Sequence, residues 1–137
     1  MLHETHSIDN PPASTRVPAT HSRAFMEPWR ARCVQCYVAV HLHSKIELAD
    51  LARVVHFSPS QFSRTFRAGF GCTPGQYIRR MRIARAQNLM TTSCDLLSRI
   101  AAECGFADQS HFNRCFRKLV GESPAMWRAR ARVQCMR

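Results

Sequence analysis

Phe57–Pro74 reads FSPSQFSRTFRAGFGCTP, and Phe106–Pro124 reads FADQSHFNRCFRKLVGESP. In the first stretch Phe62, Phe66 and Phe70 fall at i, i+4 and i+8, so a helix would carry them on one face that must be buried. Ser60, Arg64 and Arg67 then lie on the opposite face, flanked by Gln61 and Ala68. Ser58-Pro59 marks the start: Ser is an N-cap whose hydroxyl accepts a backbone N–H, and Pro sits in the first turn, where a missing N–H costs little. Gly71 ends the helix, and Thr73-Pro74 caps and begins another.

The second stretch writes the same pattern again. Phe112, Arg114, Phe116, Arg117, Gly121, Ser123 and Pro124 stand where Phe62, Arg64, Phe66, Arg67, Gly71, Thr73 and Pro74 stood, and the aromatic after the Pro recurs as Trp127 for Tyr77. Upstream, LSRIAAECGF (Leu97–Phe106) matches LADLARVVHF (Leu48–Phe57), with Ile100 for Leu51 and Ala101 for Ala52. The turn between the two segments is one residue longer in the second copy. The chain therefore contains an internal duplication of a unit made of two short helices and a following helix.

Outward from the repeat, ELADLARVVHF predicts a short amphipathic helix with Leu48, Leu51, Ala52 and Val55 on its buried face, and His56 at the turn. From Trp29 another helix is expected, with Trp29, Cys33, Cys36, Tyr37 and Val40 recurring at three- and four-residue spacing and Pro28 near its start. Between the copies, Pro74 to about Met90 predicts the longest helix, with Tyr77, Ile78, Met81, Ala84 and Leu89 apolar and Arg79, Arg80, Arg82 and Arg85 forming a basic face. Residues 1–28 mix Pro, Ser, Thr, His and isolated charges without apolar periodicity, and are expected to form a disordered tail. The expected organisation is all-α, about seven helices: a tail (1–28), then one bipartite domain (29–132) with unit one at about 29–72, a linking helix at 74–90 and unit two at about 95–132.

With 137 residues the chain has room for one ordinary domain, which excludes a large catalytic architecture. Lys+Arg is 20 against 9 for Asp+Glu, a formal charge of +11. Residues 48–137 carry fifteen basic and five acidic side chains, so +10 of that charge lies there. Such a balance favours a polyanion, either nucleic acid or an acidic membrane surface. All the basic residues except Lys45 and Lys118 are Arg, which suits planar, bidentate partners such as phosphate or guanine. No stretch approaches the roughly 18 apolar residues of a membrane-spanning helix, and no signal-peptide pattern opens the chain. Seven cysteines, an odd number, fit a reduced cytoplasmic chain.

Two short helices joined by a tight turn, the second with polar residues outward, describe a helix-turn-helix. A single copy could equally be a packing hairpin. Two copies, each setting an Arg pair and small polar residues opposite a Phe pair, favour double-stranded DNA as the partner. A linking helix of roughly 17 residues spans about 25 Å, enough to help hold two recognition helices about one turn of B-DNA apart, around 34 Å. One chain would then supply two half-site readers.

LARVVHFSPSQFSRTFRAGFGCTPGQYIRRMRIARAQNLM (Leu51–Met90) and SRIAAECGFADQSHFNRCFRKLVGESPAMWR (Ser98–Arg128) together resemble the DNA-binding domain of the AraC/XylS family of bacterial transcription regulators. The resemblance runs from about Cys33 to Arg130 and is sharpest in the second copy, IAxxxGFxDQSxFxRxFRKxxGxSPxxWR. It implies a seven-helix bipartite domain whose third and sixth helices enter the major groove. The outward positions implied to touch bases fall on Ser60, Gln61 and Arg64, then on Gln109, Ser110, His111 and Arg114. Arg67, Arg117 and Lys118 complete the expected DNA-binding set. His56 stands where Gly is common in the family, and His tolerates positive φ better than most residues. Activation through contact with RNA polymerase is the family's commoner habit. The small-molecule sensing domain common in the family has no counterpart in this chain, so no small-molecule ligand site is expected; a stand-alone member, a degenerate copy and a fragment all fit.

The remaining polar residues suggest no further chemistry. Cys33-x-x-Cys36 near His41 and His43 invites a zinc or redox reading, but no second C-x-x-C accompanies it and both cysteines fit the expected buried stripe of the first helix. Cys104 and Cys115 are expected to pack in the second unit. No cofactor, metal or catalytic residue is expected, and no membrane association. The rival reading is a nonspecific architectural nucleic-acid binder, for which charge alone would suffice.

Overall fold

The structure, a computed structural model, describes residues 25–137. Seven helices follow in chain order: α1 Pro28–His41, α2 Leu48–Val54, α3 Pro59–Phe70, α4 Pro74–Thr92, α5 Leu97–Glu103, α6 Gln109–Val120 and α7 Pro124–Cys135. There is no strand among the described residues. The all-α, seven-helix organisation read from the duplication is the one observed.

The punctuation residues act as their chemistry requires. Ser58, Thr73, Asp108 and Ser123 each accept a backbone N–H at the start of α3, α4, α6 and α7. At Thr73 the cap is reciprocal, because the Gln76 side chain accepts the Thr73 N–H at 3.0 Å. Gly71 (φ 72°) and Gly121 (φ 94°) close α3 and α6 in the left-handed region, which costs a glycine little. α4 extends through Thr92, two residues beyond the expected end, and Ser93 closes it by donating its N–H to Leu89 O.

Two cores form, one per unit, and α4 is a wall of both. Val34, Val38, Leu42, Leu51, Val55, Phe62 and Phe66 pack with Ile78 in the first. Ile100, Ala101, Cys104, Phe106, Phe112 and Phe116 pack with Ile83, Ala86 and Met90 in the second. Phe62, Phe66, Phe112 and Phe116 are all fully buried, each worth about 1.5–3 kcal/mol relative to exposure. In unit one Phe66 stacks on Phe70 at 4.1 Å between ring centroids, and Tyr77 meets both edge-on. In unit two Trp127 takes the place of Tyr77, edge-on to Phe116 at 5.9 Å.

Several expected faces are corrected. Of the α1 stripe read from the sequence, only Tyr37 packs against the first core; Cys33 and Cys36 are exposed, and Trp29 is 45% and Val40 65% exposed. Val34, Val38 and Leu42, on the other side of the helix, fill the core. Apolar residues lie all round α1, so spacing alone allowed two stripes, and the aliphatic one won. Leu48, expected inside, is half exposed at the first position of α2. Ala84 of α4 is exposed, and Ile83 and Ala86 are buried instead. Of the expected tail, residues 1–24 lie outside the described residues; Met26 is buried in the first core and Pro28 already belongs to α1.

Candidate nucleic-acid interface

Each unit presents one helix whose inner face is locked and whose outer face is polar. In α3, Phe62, Thr65 and Phe66 are buried. Thr65 satisfies its hydroxyl by donating to Gln61 O at 2.8 Å, and Ser58 Oγ accepts the Gln61 N–H at 3.2 Å. That fixes the first turn and leaves Ser60, Arg64 and Arg67 exposed, with Gln61 half-buried beside them. Ser58, Gln61, Arg64 and Thr65 line a shallow depression of about 320 Å³.

In α6, Asp108 caps more strongly, its carboxylate accepting the His111 N–H at 2.7 Å. Gln109, Ser110, Arg114, Arg117 and Lys118 are exposed. His111 is half-buried, with its ring edge-on to Phe106 at 5.5 Å. The expected site residues thus divide into two sets, one per helix, with His111 set to the side of the second, where it lines a cleft between the units.

The cations of α3 and α6 have no carboxylate partner, a property they share among the described residues with others, including Arg79, Arg80 and Arg85 of α4. Arg30, Lys45, Arg53, Arg99 and Arg130 each pair with a carboxylate. Arg64, Arg67, Arg114, Arg117 and Lys118 form no such pair among the described residues. Their charge is available to an external anion, and the first turns of α3 and α6 add the partial positive charge of a helix N-terminus.

Three features that position the two helices were not legible beforehand. The turn of unit two packs directly on unit one at Gly105. A Cβ there would lie 2.0 Å from Leu42 O and 3.0 Å from Arg82 Nε, and its φ is +82°. Arg82, expected on a free basic face, is half-buried and donates from Nη2 to Ser44 O at 2.9 Å. Burial lowers its pKa from the ordinary arginine value, yet a guanidinium stays charged. His56, the counterpart of Gly105, does adopt positive φ, 59°, and is exposed.

At the other end, Arg128 donates to Met90 O, Ser93 O and Asp95 O at 3.0, 2.7 and 2.6 Å, and Arg132 also donates to Ser93 O at 2.7 Å. These bonds satisfy Met90 O in the last turn of α4 and two carbonyls of the segment that follows it, and tie α7 to that end. The duplication gave no hint of this role, because the residue matching Arg128 is Ile78, a core side chain.

Residues 51–130 match the family model described as a helix-turn-helix domain. Over 66% of its length the chain is 40% identical to a probable transcriptional regulator, LumQ, of Photobacterium leiognathi, covering 37% of that protein. It is 31% identical to the HTH-type transcriptional activator RhaR of Escherichia coli O1:K1 / APEC, over 84% of this chain and 39% of that one. The chain spans 32–37% of the length of the first curated relatives it matches. Among solved structures, the DNA-binding domain of AdpA, a global transcriptional factor crystallised in complex with a target DNA, superposes with a TM-score of 0.71 at 32% identity, covering 77% of this chain and 94% of that one.

Proposed function

Because the chain belongs to the AraC/XylS-type helix-turn-helix family, we propose that it is a sequence-specific regulator of transcription whose helices α3 and α6 read two adjacent major grooves of one DNA duplex. The observation that carries this reading is the pair of outer faces: two capped helices of equal length, each with unpaired arginines opposite two fully buried phenylalanines. A nonspecific binder needs only the charge. It does not need Gln61, Ser60, Gln109 and Ser110 beside the arginines, where amides and hydroxyls can meet base edges.

The roles follow from reach and chemistry. Arg64 and Arg114, exposed in the second turn of their helices, are the candidates for bidentate contact with guanine. Arg67, Arg117 and Lys118, one turn further from the N-terminus, suit phosphates. His111, beside the cleft, contributes at the margin of the second reader. The contact of Gly105 with Leu42 O and the Arg82–Ser44 bond hold the readers in one relative orientation, so a monomer would demand a fixed spacing between its two half-sites. Activation, with RNA polymerase as the second partner, is the regulatory direction we assign; RhaR carries the description of activator.

Selection of bound sequences from a random double-stranded DNA pool tests the reading. Recovery of a long motif with two conserved blocks one helical turn apart is expected. Binding without enrichment, with strong salt dependence, would overturn it in favour of an architectural binder.

A further inference from the structure

The outward stripe of α1 is symmetric about its middle, as any helical stripe of 4-3-4 spacing is, and here both inner positions are cysteine. Trp29, Cys33, Cys36 and Val40 lie within about 60° of one another around the helix, opposite the buried Val34 and Val38. Trp29 and Val40 are equidistant from the midpoint between Val34 and Gln35, and so are Cys33 and Cys36. A stripe with this pattern matches itself when a second copy of the helix is laid against it antiparallel. Trp29 then faces Val40, and Cys33 faces Cys36, twice over, as a two-fold interface requires.

We propose that the exposed face of α1 pairs with the same face of a second copy of this chain, and that oxidation locks the pair through two disulfides joining Cys33 of each copy to Cys36 of the other. The area argues for a bond rather than packing alone. Two facing strips about 21 Å long bury on the order of 700 Å² in total, short of the roughly 1,200 Å² at the lower end of stable interfaces. No carboxylate lies on α1, so Arg32 at the stripe's edge finds no partner across the pair. The reduced chain is accordingly a monomer, and the covalent link supplies what the area lacks. With helix axes about 8 Å apart, facing Cβ atoms come within about 4 Å, the separation a disulfide needs. None of the stripe belongs to α3 or α6, which stay free.

The oxidant is a peroxide. A Cys33 thiol reacts with hydrogen peroxide to give a sulfenic acid and one water. The thiol of the partner's Cys36 then attacks that sulfur, forming the S–S bond and releasing a second water. Each disulfide thus takes two electrons and two protons from the thiols, and one peroxide becomes two waters.

The test uses the full chain with exposed Cys94 and Cys135 replaced by Ser. Sedimentation is expected to give a monomer under reductant and a dimer after hydrogen peroxide, with the dimer reverting on reduction. Single variants decide the register. Cys33→Ser mixed with Cys36→Ser is expected to cross-link in at least about ten-fold greater yield than either alone, because only the mixture places a thiol opposite a thiol. Equal yields in the mixture and in either variant would overturn the antiparallel register. A monomer two hydrogens lighter, from a Cys33–Cys36 bond within one helix, would overturn the proposal. So would thiols that resist alkylation in the folded full chain, which would mean that residues 1–24 occupy the stripe.

Discussion

Gly105→Ala should separate the two units without touching either reader. Two penalties act at that position. At φ +82° an L-residue costs about 1–2 kcal/mol relative to glycine. The added Cβ would also lie 2.0 Å from Leu42 O, backbone of the other unit, and must retreat by more than an ångström. Forcing bulk into a packed contact costs about 1–3 kcal/mol, so the sum is about 2–5 kcal/mol. Gly121→Ala is the internal control. It bears the same conformational penalty at φ +94°, with nothing within 4 Å of its Cβ, and should lose only about 1–2 kcal/mol. Urea unfolding followed by circular dichroism measures both. A gel-shift assay on the two-block site and on a single block adds the functional reading, where Gly105→Ala should weaken the former far more than the latter. If Gly105→Ala and Gly121→Ala were equally destabilised and bound the long site equally well, the contact between units would not set the orientation of the readers.

The other expectations are shorter. Arg114→Ala should cost about 1–3 kcal/mol on the selected site and relax preference at one or two base pairs; an equal loss on random DNA would assign it to phosphate. Phe62→Ala and Phe112→Ala, each emptying a fully buried ring position, should each destabilise by about 3–5 kcal/mol in thermal or urea unfolding, and unchanged melting would remove the duplicated-core argument. Inserting five base pairs between the two blocks should lower affinity toward that of one block, and ten or eleven should fail to restore it, since the face returns but the reach is overshot by a turn; recovery with the longer insertion in a gel-shift series would mean flexibly joined readers. Burial pushes the Cys104 thiol up from 9.0 to about 11. Its neutral form is therefore favoured by folding, and stability should fall as pH rises from about 9 toward 11; a Cys104→Ala variant measured by urea unfolding across that range should lose this component.

What could be read without coordinates was whatever short-range chemistry dictates. Ser58 and Thr73 cap because hydroxyls accept N–H groups, Ser123 follows from its place in the repeat, and the Phe pairs are buried because spacing of four in a helix permits no other disposal. Spacing alone selects the wrong face of α1 because apolar side chains occupy both of its sides. The choice between them depends on Leu51, Val55 and Phe62, which arrive from elsewhere in the chain. The roles of Arg82 and Arg128 escape a local reading for a related reason. Their partners are the carbonyls of Ser44 and Met90, thirty-eight residues away in each case, and no local pattern marks an arginine that will satisfy a distant backbone. Gly105 could be recognised as a turn glycine, but its contact with Leu42 O belongs to tertiary structure alone.

Because α4 lends Ile78 to one core and Ile83, Ala86 and Met90 to the other, its length acts as a phase setting between two screws. One residue inserted between Ile78 and Ile83 would turn everything beyond it by about 100° and advance it by about 1.5 Å. On DNA, which turns about 34° per base pair, that is an error of roughly three base pairs in facing against less than one in distance. No sequence of DNA can absorb a mismatch of that kind, since rotation and rise are locked together in the duplex in a different ratio. Lineages descended from this chain are thus free to change which bases α3 and α6 recognise, one side chain at a time, while the residue count of the helix between them has no small step available to it.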